Sequence, residues 1–142
     1  MHKTLIIIRG LPGAGKSTLA SLIGSLYPTA VLVSEDDFWT HSDGTYNFTP
    51  ETSEDAATYM ITHALKAISR SANVVVMHTA TCSFDDPEWA VLFQNARYYR
   101  YSVFPLIIQR NTNNPESLHH VRPEDMERFR REMEHGLEIT IP

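Results

Sequence analysis

Residues Gly10–Ser17 read GLPGAGKS, and they match the pattern G-x-x-x-x-G-K-[ST] at every fixed position. Glycines let successive backbone N–H groups close around phosphate oxygens, and a helix starting at the end of the loop adds partial positive charge. The flanks supply that context. Thr4–Arg9 (TLIIIR) is a short apolar, β-branched run, the mark of a strand buried on both faces. Lys16–Leu26 has helical spacing, with Leu19, Leu22, Ile23 and Leu26 on one face. On this reading Gly10, Leu11, Pro12, Gly13, Ala14, Gly15, Lys16, Ser17 and Thr18 form a phosphate cradle (a Walker A loop). Lys16 reaches the outer phosphates and the Ser17 hydroxyl is the Mg²⁺ ligand. The alternative is a bare glycine turn beside an incidental lysine.

Working outward, Ala30–Ser34 reads as a second strand. Thr49 caps a helix with Pro50 in its first turn, and the body runs to about Ser71. Ala57, Met60, Ile61, Ala64, Leu65 and Ile68 form its inward stripe. Asn73–Met77 is a third strand, Asp86 opens a helix to about Tyr98, and Tyr101–Gln109 is a fourth strand. Pro123 begins a charged helix that ends before Gly136. Strands alternating with helices imply crossover units on a parallel sheet. The expected fold class is α/β, a three-layer α/β/α sandwich of the P-loop NTPase type with about four central strands. A single domain over residues 1–142 is expected, with no repeat or linker.

The bulk properties narrow the class. At 142 residues, 42% hydrophobic and 20% charged, the chain is an ordinary globular length with room for a core. Its one cysteine, Cys82, excludes an internal disulfide framework and suits a reducing compartment. No apolar run approaches a membrane span, and a strand-like run follows directly on Met1-His2-Lys3, so a cytoplasmic protein with no membrane partner is expected. A net charge of −5 gives no global attraction to nucleic acid, though a local basic groove stays open. Nine arginines against three lysines place most positive charge on planar forks suited to phosphate.

Val31–Phe38 (VLVSEDDF) gathers Glu35, Asp36 and Asp37 just past the second strand. In an open α/β sheet, chemistry sits outside the carboxyl ends of the strands, the edge that also carries the loop. Phosphoryl transfer to an alcohol needs a carboxylate to orient the hydroxyl and accept its proton; a neighbouring acid can hold metal-bound water. The plainer reading is a solvated turn or a helix cap. The adjoining Phe38-Trp39 pair could stack a base or sugar, with the core the better place for Phe38. Arg97–Tyr101 (RYYRY) is either a nucleic-acid patch or the end of a helix entering a strand.

These elements together resemble the P-loop kinases of the polynucleotide 5′-hydroxyl kinase family and their short stand-alone relatives. The resemblance rests on Arg9–Ala20 (RGLPGAGKSTLA), Ser34–Phe38 (SEDDF), Asp43–Glu51 (DGTYNFTPE) and Ser117–Glu134 (SLHHVRPEDMERFRREME). It implies that Asp36 is the general base, and that an arginine after the fourth strand grips the transferring phosphate. Arg110 is the favoured candidate and Arg122 the other. The lid is shortened to about residues 110–122. Where such kinases carry an acidic or amide-rich turn after the third strand, this chain reads Val76–Thr81 (VMHTAT). Thr79 is retained, Met77 and His78 stand near the expected carboxylate, and Ala80 replaces an asparagine. Histidine is a poor Mg²⁺ ligand, so Asp36 or Asp37 takes over the metal role, or the site is altered. His78 contacts the acceptor or is structural. Asp37, His78, Thr79 and Arg122 are thus candidate substrate residues, and His119 with His120 lack zinc-site spacing.

The function expected is ATP- and Mg²⁺-dependent transfer of the γ-phosphate to a hydroxyl, foremost the 5′-OH of a nucleic acid or nucleoside-like acceptor. The open alternatives are a small-molecule hydroxyl kinase and a non-catalytic ATP-binding module. A guanine-selecting N-K-x-D segment is absent, which disfavours a GTPase switch. The sequence names no protein partner.

Overall fold

The computed structural model describes residues 2–11, 13–80 and 83–108. Four strands, β1 (Lys3–Gly10), β2 (Val31–Ser34), β3 (Val74–Thr79) and β4 (Tyr101–Ile108), pair in the order β2-β3-β1-β4. All three pairings are parallel. Helix α1 (Lys16–Leu26) covers one face, while α3 (Ser53–Ser69) and α4 (Pro87–Tyr98) cover the other. A short helix, α2 (Asp36–Trp39), follows β2 directly, and a 3₁₀ turn at Pro50–Thr52 leads into α3. The result is the expected three-layer α/β/α sandwich. The lid, the final helix, Arg110, Arg122, His119 and His120 lie outside the described residues, as do Pro12 and Cys82.

Alternation along β1 divides the core. Leu5 and Ile7 are fully buried with Val33, Val75 and Met77 against α3 and α4, joined by Trp89 and Leu92. Ile8 packs with Val76 and Ala20 of α1 on the other side. A strand buried on both faces reads as a continuous apolar run for this reason. Among the described residues β4 is the outermost strand on its side of the sheet, and it carries Pro105, which has no N–H to donate.

Three expectations need correction. Leu22 and Leu26 of α1 are exposed, and the helix turns Leu19, Ala20 and Ile23 inward instead. Only one helical stripe can meet the short β2 and the centre of the sheet, so the outer leucines overshoot it. Strand β3 extends two residues beyond Met77, because His78 pairs with Ile8 and Ser34, and Thr79 with Arg9. Phe38 is the more exposed of the aromatic pair and Trp39 is buried, its indole N–H donating to Thr52 Oγ1 at 2.9 Å. Helix α3 stops at Ser69 through bonds from Ser71 N–H to Ile68 O and from Ala72 N–H to Ala67 O, with Ser71 at φ 58°. Among the described residues no helix is long and apolar enough to cross a membrane.

Ile7 has no exposed surface and touches the layer beneath α3 and α4. Ile7→Ala is expected to cost about 2–5 kcal/mol, read as a lower urea midpoint with an unchanged slope.

Candidate functional site

The loop leaves β1 at Gly10 and enters α1 at Lys16, as the spacing of the motif demands. Gly13 and Gly15 adopt φ of 82° and 100°, a region that side chains other than glycine's rarely enter. Gly10 is needed for another reason: a Cβ there would stand 3.1 Å from Ile108 O and 3.3 Å from Ala14 Cβ. Ala14 N–H donates to Leu11 O at 3.0 Å, closing the turn. Lys16 Nζ donates to Gly10 O at 2.6 Å and to Leu11 O at 3.3 Å, so its ammonium lies over the loop. Ser17 and Thr18 are exposed in the first turn of α1. These side chains and the backbone donors at the helix start can meet a polyphosphate.

The acidic triplet does three separate jobs. Ser34 Oγ accepts from Asp36 N–H at 3.0 Å, while Asp37 Oδ2 accepts from Ser34 N–H at 3.2 Å. That reciprocal pair ties Ser34, the last residue of β2, to the first turn of α2. It starts α2 at the carboxyl end of β2. Asp37 therefore engages its own backbone rather than the space above the loop.

Asp36 is half-buried, and its Oδ1 accepts from the Tyr46 hydroxyl at 3.1 Å. Glu35 turns the other way. Its Oε1 accepts from the Thr79 hydroxyl, and from Ala80 N–H at 3.3 Å, at the end of β3. Burial pushes the Glu35 carboxyl above its ordinary range; the bonds from Thr79 and Ala80 and the charge of Lys16 oppose this, and Asp36 adds to it.

His78 lies on the α1 side of β3, opposite Ile8 and Ser34. Burial holds its imidazole below the ordinary range; the charges of Asp36 and Asp37 pull it up and Lys16 pulls it down. The ring is thus neutral at neutral pH. Met77, near the expected carboxylate, is fully buried in the layer under α3 and α4. Strand alternation points it away from the loop, so a charge there would be desolvated.

Lys16, Asp36, Asp37, His78 and Thr79 thus lie at the carboxyl ends of β1, β2 and β3, and Glu35 links the turn after β2 to Thr79 of β3. Sequence reasoning singled out no role for Glu35 by name. Its signal was the triplet itself, together with a third strand ending without a carboxylate. The Arg97–Tyr101 cluster is elsewhere: Tyr101 opens β4 at the opposite end of the sheet, and Lys3 Nζ lies 5.2 Å from the centre of its ring. It ends α4 and enters the strand.

Comparison with known proteins agrees with the fold. A family model described as an AAA domain matches residues 5–134. Human NEDD4-binding protein 2 is 27% identical over 95 residues, covering 66% of this chain and 5% of that protein. The chain therefore spans only a small part of this curated relative. Among solved structures, the Pnkp1/Rnl/Hen1 RNA repair complex contains a chain with a TM-score of 0.67 at 18% identity, covering 99% of this chain and 48% of that one. A proposed kinase of Chloroflexus aurantiacus gives 0.63 at 18% identity, over 89% of this chain and 74% of its own. A sugar kinase of Janibacter sp. HTCC2649 gives 0.53 at 14% identity, over 99% and 80%. With the family match running over residues 5–134, the chain belongs to the AAA domain family, and its fold is that of the P-loop kinases.

Proposed function

We propose that the protein transfers the γ-phosphate of ATP to a hydroxyl, with the 5′-OH of a nucleic acid or a nucleoside-like molecule as the acceptor class. One observation carries the reading: the loop that seats Lys16 and the turn that seats Asp36 leave the carboxyl ends of β1 and β2, on either side of β3, whose Thr79 bonds Glu35 next to Asp36. A base and a phosphate-binding lysine that share this space suit in-line transfer. The likeness to a chain of an RNA repair complex supports a nucleic-acid acceptor.

The loop amides and Lys16 bind the β- and γ-phosphates; Lys16 moves from the carbonyls of Gly10 and Leu11 to phosphate oxygens. Asp36 accepts the proton of the acceptor hydroxyl as its oxygen bonds to the γ-phosphorus, and the bond from that phosphorus to the β–γ bridging oxygen breaks, releasing ADP. The donors at this edge are oxygens of Ser17 and Glu35, the hard set that Mg²⁺ prefers. Ser17 would hold the ion directly and Glu35 would hold its waters. When bound, the ion neutralises phosphate charge and orients the outer phosphates. Arg110 is proposed as the lid arginine, with Arg122 in reserve.

The decisive assay incubates the protein with γ-labelled Mg·ATP and a panel of 5′-hydroxyl oligonucleotides, nucleosides and small alcohols. Labelled oligonucleotide or nucleoside is expected. ATP binding with no product from any acceptor would leave a nucleotide-binding module instead. Asp36→Asn is expected to lower turnover by about 10²-fold or more while Mg·ATP affinity stays within about twofold.

Glu35 gives a second measurement. A carboxylate beside a triphosphate repels it unless a cation intervenes. Glu35→Gln is therefore expected to tighten metal-free ATP about fivefold, measured calorimetrically in EDTA, with a smaller change in Mg²⁺. The same variant tests the raised carboxyl. Above the ordinary value of 4.5 the native state holds this proton more firmly than the unfolded chain, so stability falls as pH rises through the native value. Glu35→Gln should raise the melting temperature at pH 7, and the gain should vanish below about pH 4.5.

A further inference from the structure

The chain leaving α2 reverses sharply and returns to Asp36. Asp43 Oδ1 accepts from Thr45 N–H at 2.9 Å and from the Thr45 hydroxyl at 2.6 Å, and Gly44 turns at φ 87°. Gly44 N–H donates to His41 O at 2.9 Å, and His41 N–H to Thr45 O at 2.8 Å. Thr40 and Tyr46 then form an antiparallel bridge, and Asn47 N–H donates to Trp39 O at 3.0 Å. These bonds fix where Tyr46 re-enters.

Its ring meets the buried Trp39 edge-on at 6.4 Å, and Trp39 is anchored through its indole to Thr52 beside α3. The hydroxyl at the far end of that ring donates to Asp36 Oδ1. Thr40 Oγ1 donates to the Asp36 carbonyl at 2.8 Å, and the Asp36 N–H is held by Ser34. Asp36 is thus tied at its amide, its carbonyl and one carboxylate oxygen. Among the described residues, no hydrogen bond to Oδ2 accompanies these.

We propose that Tyr46 is a positioning residue: its hydroxyl holds Oδ1 so that Oδ2 is the atom presented to the acceptor. A carboxylate free to rotate about its last bond presents either oxygen over a range of angles. One charge-assisted hydrogen bond to a ring packed on a buried tryptophan removes that freedom. The phenol stays protonated throughout the neutral range, since burial and then the charge of Asp36 push its pKa above the ordinary value, so it remains a donor. The inference rests on Asp36 being the base.

Tyr46→Phe removes the hydroxyl and keeps the ring against Trp39. Steady-state transfer from Mg·ATP is measured with a 5′-hydroxyl oligodeoxynucleotide, and ADP release with water as acceptor is followed in parallel. The expected result is a kcat about tenfold lower, KM for Mg·ATP within about twofold, and cooperative thermal unfolding near the parent midpoint. A kcat within twofold of the parent overturns the proposal, as does a loss confined to KM for ATP. Failure of Tyr46→Phe to unfold cooperatively does the same, because the hydroxyl is then structural. Asp36→Asn assayed alongside separates the two readings. If it retains full activity, the base assignment falls; if it is inactive while Tyr46→Phe is unimpaired, only the positioning role falls.

Discussion

The parallel register of β1 between β3 and β4 is the constraint on which the site depends. It brings Arg9 level with Thr79 and Gly10 level with Ile108, so three chain segments end at one height. The loop can turn there only because Gly10 lets the carbonyl of Ile108 approach. Pairing of β3 with β2 adds Ser34 opposite His78 to the same edge. Backbone hydrogen bonds, rather than any side-chain contact, therefore bring the phosphate cradle and the acidic turn together. Since the sheet is buried between helices, slipping any strand by one residue would turn its core-facing side chains to the wrong layer.

The acidic turn makes sense only with that sheet in place. Three adjacent carboxylates repel one another, and such a turn would be costly if all three faced one space. The chain avoids this by sending them along different vectors: Asp37 back to its own strand end, Asp36 toward Tyr46, and Glu35 across to Thr79 and Ala80. Helical geometry makes this dispersal possible, because Glu35, already at helical φ and ψ, and the following residues of α2 diverge around its axis. Met77 can then remain in the apolar layer.

Features decided by local sequence were legible in advance. The strand–loop–helix unit, Pro50 ahead of α3, Pro87 opening α4 and the long stripe of α3 all depend on neighbours within a turn or two. What stayed hidden depends on distant partners. Nothing within α1 indicates that Leu22 and Leu26 face outward, since that follows from the width of the sheet below. Polar His78 and Thr79 look like the start of a turn, yet pairing keeps them extended, His78 between Ile8 and Ser34 and Thr79 beside Arg9. The exchange of places between Phe38 and Trp39 reflects α2, a helix too short to show a period, and an acceptor, Thr52, thirteen residues away. The loop's residues could be named from the motif, whereas the partners of Glu35 required the fold.

The placement of the two tryptophans has a practical consequence. Trp89, on α4, is 2% exposed in the core beneath that helix, with Phe84 at 4.8 Å, whereas Trp39 adjoins the Asp36 turn among Phe38, Tyr46 and Phe48. The chain's tryptophan emission thus comes from two chromophores in different surroundings, one reporting whether the interior is assembled and the other lying next to the acidic edge. Replacing Trp89 with another aromatic would leave a single-colour optical signal local to that edge, and replacing Trp39 would leave one for the interior alone.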